Sequence, residues 1–548
     1  MSSGDEQIKQ REKGRLGAID PAQMLMEWAA DTYEMDSAGQ DQAPSNDGTQ
    51  GREPKKPRVQ YIDRSQMMMQ CVDVERLVEE DHPARAIWEL ISMLDLGKFY
   101  SSIKAVEGCA GRTPVDPRVL ISLWVYSYSI GEGSAREISR LCEYHPAYRW
   151  LTGVQPINYH TISDFRIDHK KGLEEIFTQI LGVLAAGGLV TLKQVMQDGT
   201  KIKANASSGT FRREKRLDEC LEAAREQIKV ADEQAQQGVS KRAAKARKRA
   251  HREKVERLEE AVKQLKELQA GKSKEKDKQN TRVSMTDPDA RNMKQADGGY
   301  APSYNVQVST DAANKIIVAV NTTQSRSDFP ELMNGIEKVE QNMGKLPQQV
   351  VVDGGYTSRE NIIAASEKGV DLIGPMADNK PQSQRLLKAR GIQEGFYSEA
   401  FTYNQEANTF TCPLGNTLSY YRKELRPTQN FHLYRASAQD CNVCPSKESC
   451  CPNNEGQGRA VMRVEEAAPV SEFIEKMKTQ EAKAIYKHRG PVAEFPNAWI
   501  KEKFGVRQFR LRGLTKVGIE ALWAGLTYNI KQWIRLSWKP ALVPAALG

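Results

Sequence analysis

The stretch that most restricts the fold is 349–356, Gln-Val-Val-Val-Asp-Gly-Gly-Tyr, in which three consecutive valines end at one carboxylate and two glycines follow. An unbroken run of β-branched residues suits a strand covered on both faces, as in a sheet layered by helices, and Gly354-Gly355 allow the backbone to turn sharply behind it. Asp353 is therefore expected at the rim of a sheet. A core strand with a turn-forming aspartate has the same appearance, so the reading depends on partners elsewhere. One partner is Asp198. The segment 191–203, Thr-Leu-Lys-Gln-Val-Met-Gln-Asp-Gly-Thr-Lys-Ile-Lys, shifts toward a period of two and places Asp198 beside Gly199 at its polar end.

Taken in order, the chain divides by pattern. Residues 1–58 are rich in Gly, Asp, Gln, Ser and Pro and read as a mostly disordered tail, with an apolar island at 24–28 suited to a short docking helix. Residues 59–190 read as a helical DNA-binding domain; Asp116-Pro117 supply a capping acid and a first-turn proline. Within it, 134–141 and 159–166 read as two helices split by a loop carrying Gly153 and Pro156. That layout is compatible with a helix-turn-helix, whose Arg136, Arg140, His160, Ser163 and Arg166 would face phosphates or base edges. A plain helical bundle with a solvated polar face fits equally.

The charged segment 211–280 reads as two long amphipathic helices broken near Gly238, an inserted hairpin whose basic run 241–249 suits either DNA phosphates or a solvated face. Strand and helix candidates in 191–210, 281–378 and 483–537 together suggest a mixed sheet with helices packed on it. Between them, 379–482 is polar and is expected to be poor in strands; 538–548 is a tail.

Nine cysteines are unevenly spaced, with Cys412, Cys441, Cys444, Cys450 and Cys451 close together. Cys441-x2-Cys444 is a chelating pair, and Cys412 with Cys450 would complete four thiolates for a structural zinc ion; reduced thiols and a redox pair are the alternatives. A net charge of +8 over 548 residues is weak evidence for nucleic acid by itself. No run approaches the roughly 18 apolar residues of a membrane span, and the first residues lack the order of a secretory signal, so a cytoplasmic protein without membrane contact is expected.

The last block, 486–501, carries Tyr486, Arg489, Glu494 and Lys501; a basic strip with Arg507, Arg510 and Arg512 follows, then a helix lined by Ile519, Leu522, Leu526, Ile530 and Ile534. Asp198 and Asp353 after strands, with Glu494 in a Tyr-x2-Arg-x4-Glu-x6-Lys block, resemble the bacterial insertion-sequence transposases of the DDE class, more narrowly the group with the Tyr-Arg-Glu-Lys signature. The similarity runs from about residue 60 to 536. It implies an α/β architecture: a ribonuclease-H-like mixed-sheet catalytic domain with an N-terminal helical DNA-binding domain, an inserted helical hairpin and a Cys-containing insertion. Asp198, Asp353 and Glu494 would hold two Mg²⁺ or Mn²⁺ ions for cutting and joining double-stranded DNA. Tyr486, Arg489, Lys501 and the strip Arg507, Arg510 and Arg512 would contact DNA, and a homodimer would hold two element ends. The Arg489 to Glu494 spacing is one residue longer than in some relatives; Glu502 and Glu520 are the alternative third acids. An inactive transposon-derived DNA-binding protein, or a non-transposing metal nuclease, are the competing readings.

Overall fold

Helix α1 (Pro83–Ser92) starts at His82, whose ring accepts the Ala84 N–H, and α2 (Pro117–Ser129) at Asp116, whose carboxylate accepts the Arg118 N–H; each has proline in its first turn. They belong to a computed structural model that describes residues 67, 69, 71–105, 113–235, 241–376, 380–426, 428–452 and 456–540. The expected tail 1–58 with its island at 24–28 lies outside the described residues, as do 541–548. Helices α3 (Ala135–Tyr144), α4 (Pro146–Thr152), α5 (Tyr159–Asp168) and α6 (Lys170–Ala186) continue the helical layer. The expected two-helix unit thus contains a third helix, α4. Pro146 begins it after the His145 cap, and Gly153 ends it at φ 60°.

Strand β1 (Gln194–Lys203) follows, then the hairpin of α7 (Glu214–Ala235) and α8 (Lys241–Ala270), zipped by Leu217, Leu221, Leu258 and Leu265. The remaining sheet strands are β2 (Arg291–Lys294), β3 (Tyr300–Asp311) and β4 (Ile316–Thr323). After helix α9 (Glu331–Met343) come β5 (Gln349–Val351), helix α10 (Arg359–Glu367) and β6 (Asp371–Ile373). β3 runs antiparallel to β1 and carries both β2 and β4 on its other edge; β1, β5 and β6 are mutually parallel. This mixed order, with an antiparallel hairpin on one side of β1 and parallel crossovers on the other, is consistent with a ribonuclease-H-like fold. Val350, Val351 and Val352 are buried, as the valine run required.

The segment expected to be poor in strands instead forms a five-stranded antiparallel sheet: β7 (Thr402–Asn404), β8 (Thr409–Thr411), β9 (Thr417–Leu425), β10 (Gln429–Ala436) and β11 (Ala460–Glu466). Only Leu418 of β9 is buried, so the strand lacks the apolar alternation that marks a half-buried strand in sequence.

Helices α11 (Ala468–Lys478), α12 (Gln480–Lys487) and α13 (Arg489–Ala498) return the chain to the central sheet; a π-turn (Trp499–Lys503) and α14 (Leu514–Leu536) complete it. The middle of α14 is buried nearly all round, between the N-terminal helices and β4, and holds the polar Glu520, Thr527 and Asn529 along with its apolar residues. Gly525 permits that approach, since a Cβ there would stand 2.7 Å from a Val320 methyl. Asn529 of α14 accepts the Ile317 N–H and donates to the Ile317 carbonyl, which pairs part of the open edge of β4. One core cluster therefore runs from Ile87 and Trp124 through Leu181 to Val306, Ile317 and Trp523.

Candidate active site

Register places the two aspartates. In the parallel β1–β5 pair Val195 lies beside Val350 and Met196 beside Val351, so Asp198 and Asp353 each stand two residues beyond the last paired position, on the same face. Beneath them Met196, Val351 and Ile373 pack against Ala482, Val492 and Ala493, with Tyr486 at the border, fixing α12 and α13 over the strand ends. Arg489 reaches up from the start of α13. Its Nη2 donates to Asp198 Oδ1 at 2.7 Å and to Asp353 Oδ2 at 3.4 Å, so those two oxygens are at most about 6 Å apart.

Gly355 N–H donates to Asp353 Oδ1, and a Cβ on Gly355 would stand 2.9 Å from that oxygen. Neither Gly354 nor Gly355 has positive φ. At Gly355 the sequence serves close approach to the carboxylate rather than a left-handed turn. Gly199 is needed for a similar reason on the other face of β1, where a Cβ would meet Asp328 Oδ1 at 2.4 Å.

Helical geometry decides what else reaches Asp198. Arg489, Ala493 and Asn497 are four residues apart and share one face of α13. Asn497 Nδ2 donates to Asp198 Oδ2 at 2.9 Å, while its Oδ1 is buried without a partner. Glu494, one position past Ala493, is rotated about 100° from that face. It is exposed, with its carboxylate turned back along its own helix, 3.6 Å from a Cβ placed on Gly490. The x4 spacing between Arg489 and Glu494 thus puts alanine where an x3 spacing would put the acid. Among the described residues no three His, Cys, Asp or Glu side chains stand close enough together to hold a metal ion.

Of the other expected residues, Lys501 lies in the π-turn; burial lowers its pKa while the charge of Asp198 opposes that shift. Arg136 is exposed over the Tyr159 ring, and Arg140 is exposed and paired with Glu137. Arg507 pairs with Glu502, Arg510 lies 3.7 Å from Glu132, and Arg512 Nε donates to the Asn205 carbonyl; all three are exposed. Arg166 requires a correction: it is 6% exposed, lies over the Trp124 ring and donates to the Gly133 carbonyl, so it holds the core together and does not face solvent. Glu520 is buried and accepts the Arg510 and Leu511 N–H groups, and Glu502 is engaged by Arg507.

Two groups escaped the sequence. Asn497 was legible only by counting eight residues on from Arg489 along a helix. Asp328 anchors a second polar cluster on the other face of β1, accepting from Lys201, Asn305 and Gln307, while Tyr356 donates to Gln307.

Burial raises the Asp198 pKa; Arg489 lowers it, and Asp353 and Asp328 raise it again. A carboxyl raised in the folded state binds its proton more tightly there than in the unfolded chain. The Asp198 contribution to stability therefore falls as pH rises from about 3.9 through the raised folded value. The stability of Asp198→Asn relative to the parent is expected to increase with pH across that window in metal-free denaturant titrations. A difference independent of pH would contradict it.

Among the described residues no helix is long and apolar enough to cross a membrane. Residues 411–534 match the family model described as Transposase DDE domain, and residues 72–168 match Transposase domain (DUF772). Neither match includes Asp198 or Asp353. No curated protein matches the chain. A solved structure, the cryo-EM structure of piggyBac transposase synaptic complex with hairpin DNA, aligns over 84% of this chain and 82% of that one at 8% identity, with a TM-score of 0.25, too low to carry an argument. The two family matches, one over the helical layer and one from the insertion through Arg489 and Glu494 to α14, support a DDE-type transposase.

Proposed function

We propose that the chain is a transposase of the bacterial Tyr-Arg-Glu-Lys group that binds the terminal inverted repeats of its own element, cuts there, and joins the freed 3′ ends to target DNA. The observation that carries this reading is the pair Asp198 and Asp353 on one face of adjacent parallel strands, each two residues beyond the last paired position, with Asp198 inside β1 and Asp353 just past β5, bridged by Arg489.

The donors fit a hard cation: carboxylate oxygens, and beside them the unpartnered amide oxygen of Asn497. Asp198 and Asp353 would hold Mg²⁺ or Mn²⁺, which when bound would neutralise the scissile phosphate and activate the attacking oxygen; Glu494, the expected third acid, lies off their face and would have to turn toward them to join. Arg489 keeps the two acids charge-compensated, and its guanidinium fork suits a DNA phosphate once the acids are otherwise engaged. Lys501 adds a point charge near the cut, and Tyr486 braces α12 beneath it. The exposed Arg136, Arg140, Arg507, Arg510 and Arg512 are the residues assigned to DNA phosphates, in a homodimer that brings two ends together.

The test is incubation of the full chain with end-sequence DNA, a target plasmid and Mg²⁺. Joined products are expected; cleavage without joining would favour the nuclease reading. A second reading, an inert DNA-binding protein, has one observation on its side, the separation of Glu494 from the two aspartates. Salt-sensitive DNA binding without cleavage under Mg²⁺ or Mn²⁺ would establish it.

A further inference from the structure

The insertion contains a group that the DNA chemistry does not use. Cys412, Cys441, Cys444, Cys450 and Cys451 all line one cavity at the base of the five-stranded sheet, and Arg459 lines it with them. Arg459 is 8% exposed; its Nη2 donates to the Phe396 carbonyl, its guanidinium lies over the Phe401 ring, and its buried Nε has no partner. No carboxylate faces it among the described ion pairs. A buried guanidinium needs a compensating negative charge, and the groups around it able to supply one are the sulfurs.

Two sulfurs already accept backbone N–H bonds: Cys412 from Asn416 at 3.2 Å, inside the Cys412-Pro-Leu-Gly415 turn, and Cys441 from Arg459 at 3.3 Å. The apolar cluster beneath the sheet is small, with Phe401, Phe410, Leu418, Tyr434 and Val461 as its main members and three cysteines completing it. A core of that size rarely holds a sheet without a covalent or metal staple.

We propose that Cys412, Cys441, Cys444 and Cys450 bind one structural zinc ion, with Arg459 as the buried counter-cation of the site. Loading draws in Zn²⁺ and expels four thiol protons, leaving a tetrathiolate of charge −2 that Arg459 halves. The sulfurs do not yet converge on a common point, so their side chains turn into the cavity as the ion enters.

The full chain carrying Asp198→Asn and Asp353→Asn, which removes the carboxylate site from the measurement, is purified without chelator and assayed for metal and for reactive thiols. About one zinc per chain is expected, together with cobalt-exchanged protein showing thiolate-to-metal charge-transfer absorption. Cys441→Ser should lose the zinc, and Cys220→Ser, on the distant helical hairpin, should keep it. Arg459→Met tests the counter-cation separately and should bind zinc more weakly in chelator competition. Protein without zinc, zinc retained in Cys441→Ser, or a disulfide within the cluster overturns the proposal. The result is independent of whether the chain moves DNA.

Discussion

Asparagine in place of Asp353 is expected to lower Mg²⁺-dependent cutting of end-sequence DNA at least about a thousand-fold, because a carboxylate that holds the cation supplies several kcal/mol of charge stabilisation and each 1.36 kcal/mol is tenfold. The fold should hardly notice. Asp353 is partly exposed at the rim, asparagine can still accept the Gly355 N–H, and Arg489 retains its shorter bond to Asp198. A change in unfolding free energy within about 0.5 kcal/mol is therefore expected, the usual range for a surface position. Loss of cutting with the fold intact identifies chemistry; cutting within tenfold of the parent would remove Asp353 from the site.

Trp523→Ala is expected to cost about 3–5 kcal/mol, the range for removing a large buried aromatic side chain. Trp523 is 1% exposed, packs against Trp124 with ring centroids 6.4 Å apart, and donates its indole N–H to the Arg166 carbonyl. Those contacts join α14 to α2 and α5, while the same helix covers β4 through Asn529. The loss should thus appear as one cooperative transition, moved to lower denaturant, that melts the N-terminal helices and the central sheet together. A shift below about 1 kcal/mol, or separate transitions for helices and sheet, would show that the shared core does not couple them.

What was legible in sequence follows from the physics of each pattern. The valine run reads as a strand buried on both faces, and the strand pattern before Asp198 supplies its neighbour; Asp353 does stand just past the end of its strand, whereas Asp198 lies inside β1, which continues to Lys203, and not at its polar end. The caps of α2 and the apolar face of α14 were equally visible, since proline, capping acids and helical spacing act locally. The sheet of the insertion was not, because its longest strand, β9, leaves every side chain but Leu418 exposed and so lacks alternation. Arg166 misled for a related reason: a sequence shows charge, whereas its burial depends on Trp124 and the Gly133 carbonyl arriving from other segments. Glu494 shows the cost of one residue in a helix. Its spacing from Arg489 is longer by one than in some relatives with the signature, and in the folded chain that residue turns the acid off the face where Arg489 and Asn497 meet Asp198. The π-turn that follows is the device by which helices absorb a single extra residue, and such turns gather at functional sites.

The central claim is that Asp198 and Asp353 hold a divalent cation for DNA cutting, and a metal-specificity switch tests it most directly. Asp353→Cys exchanges a hard oxygen donor for a soft sulfur, which disfavours Mg²⁺ far more than Mn²⁺. The prediction is cutting of end-sequence DNA that is lost in Mg²⁺ and partly restored in Mn²⁺, with Asp353→Ala inactive in both. Equal activity of the cysteine variant in the two ions, or equal rescue of the alanine variant by Mn²⁺, would contradict it.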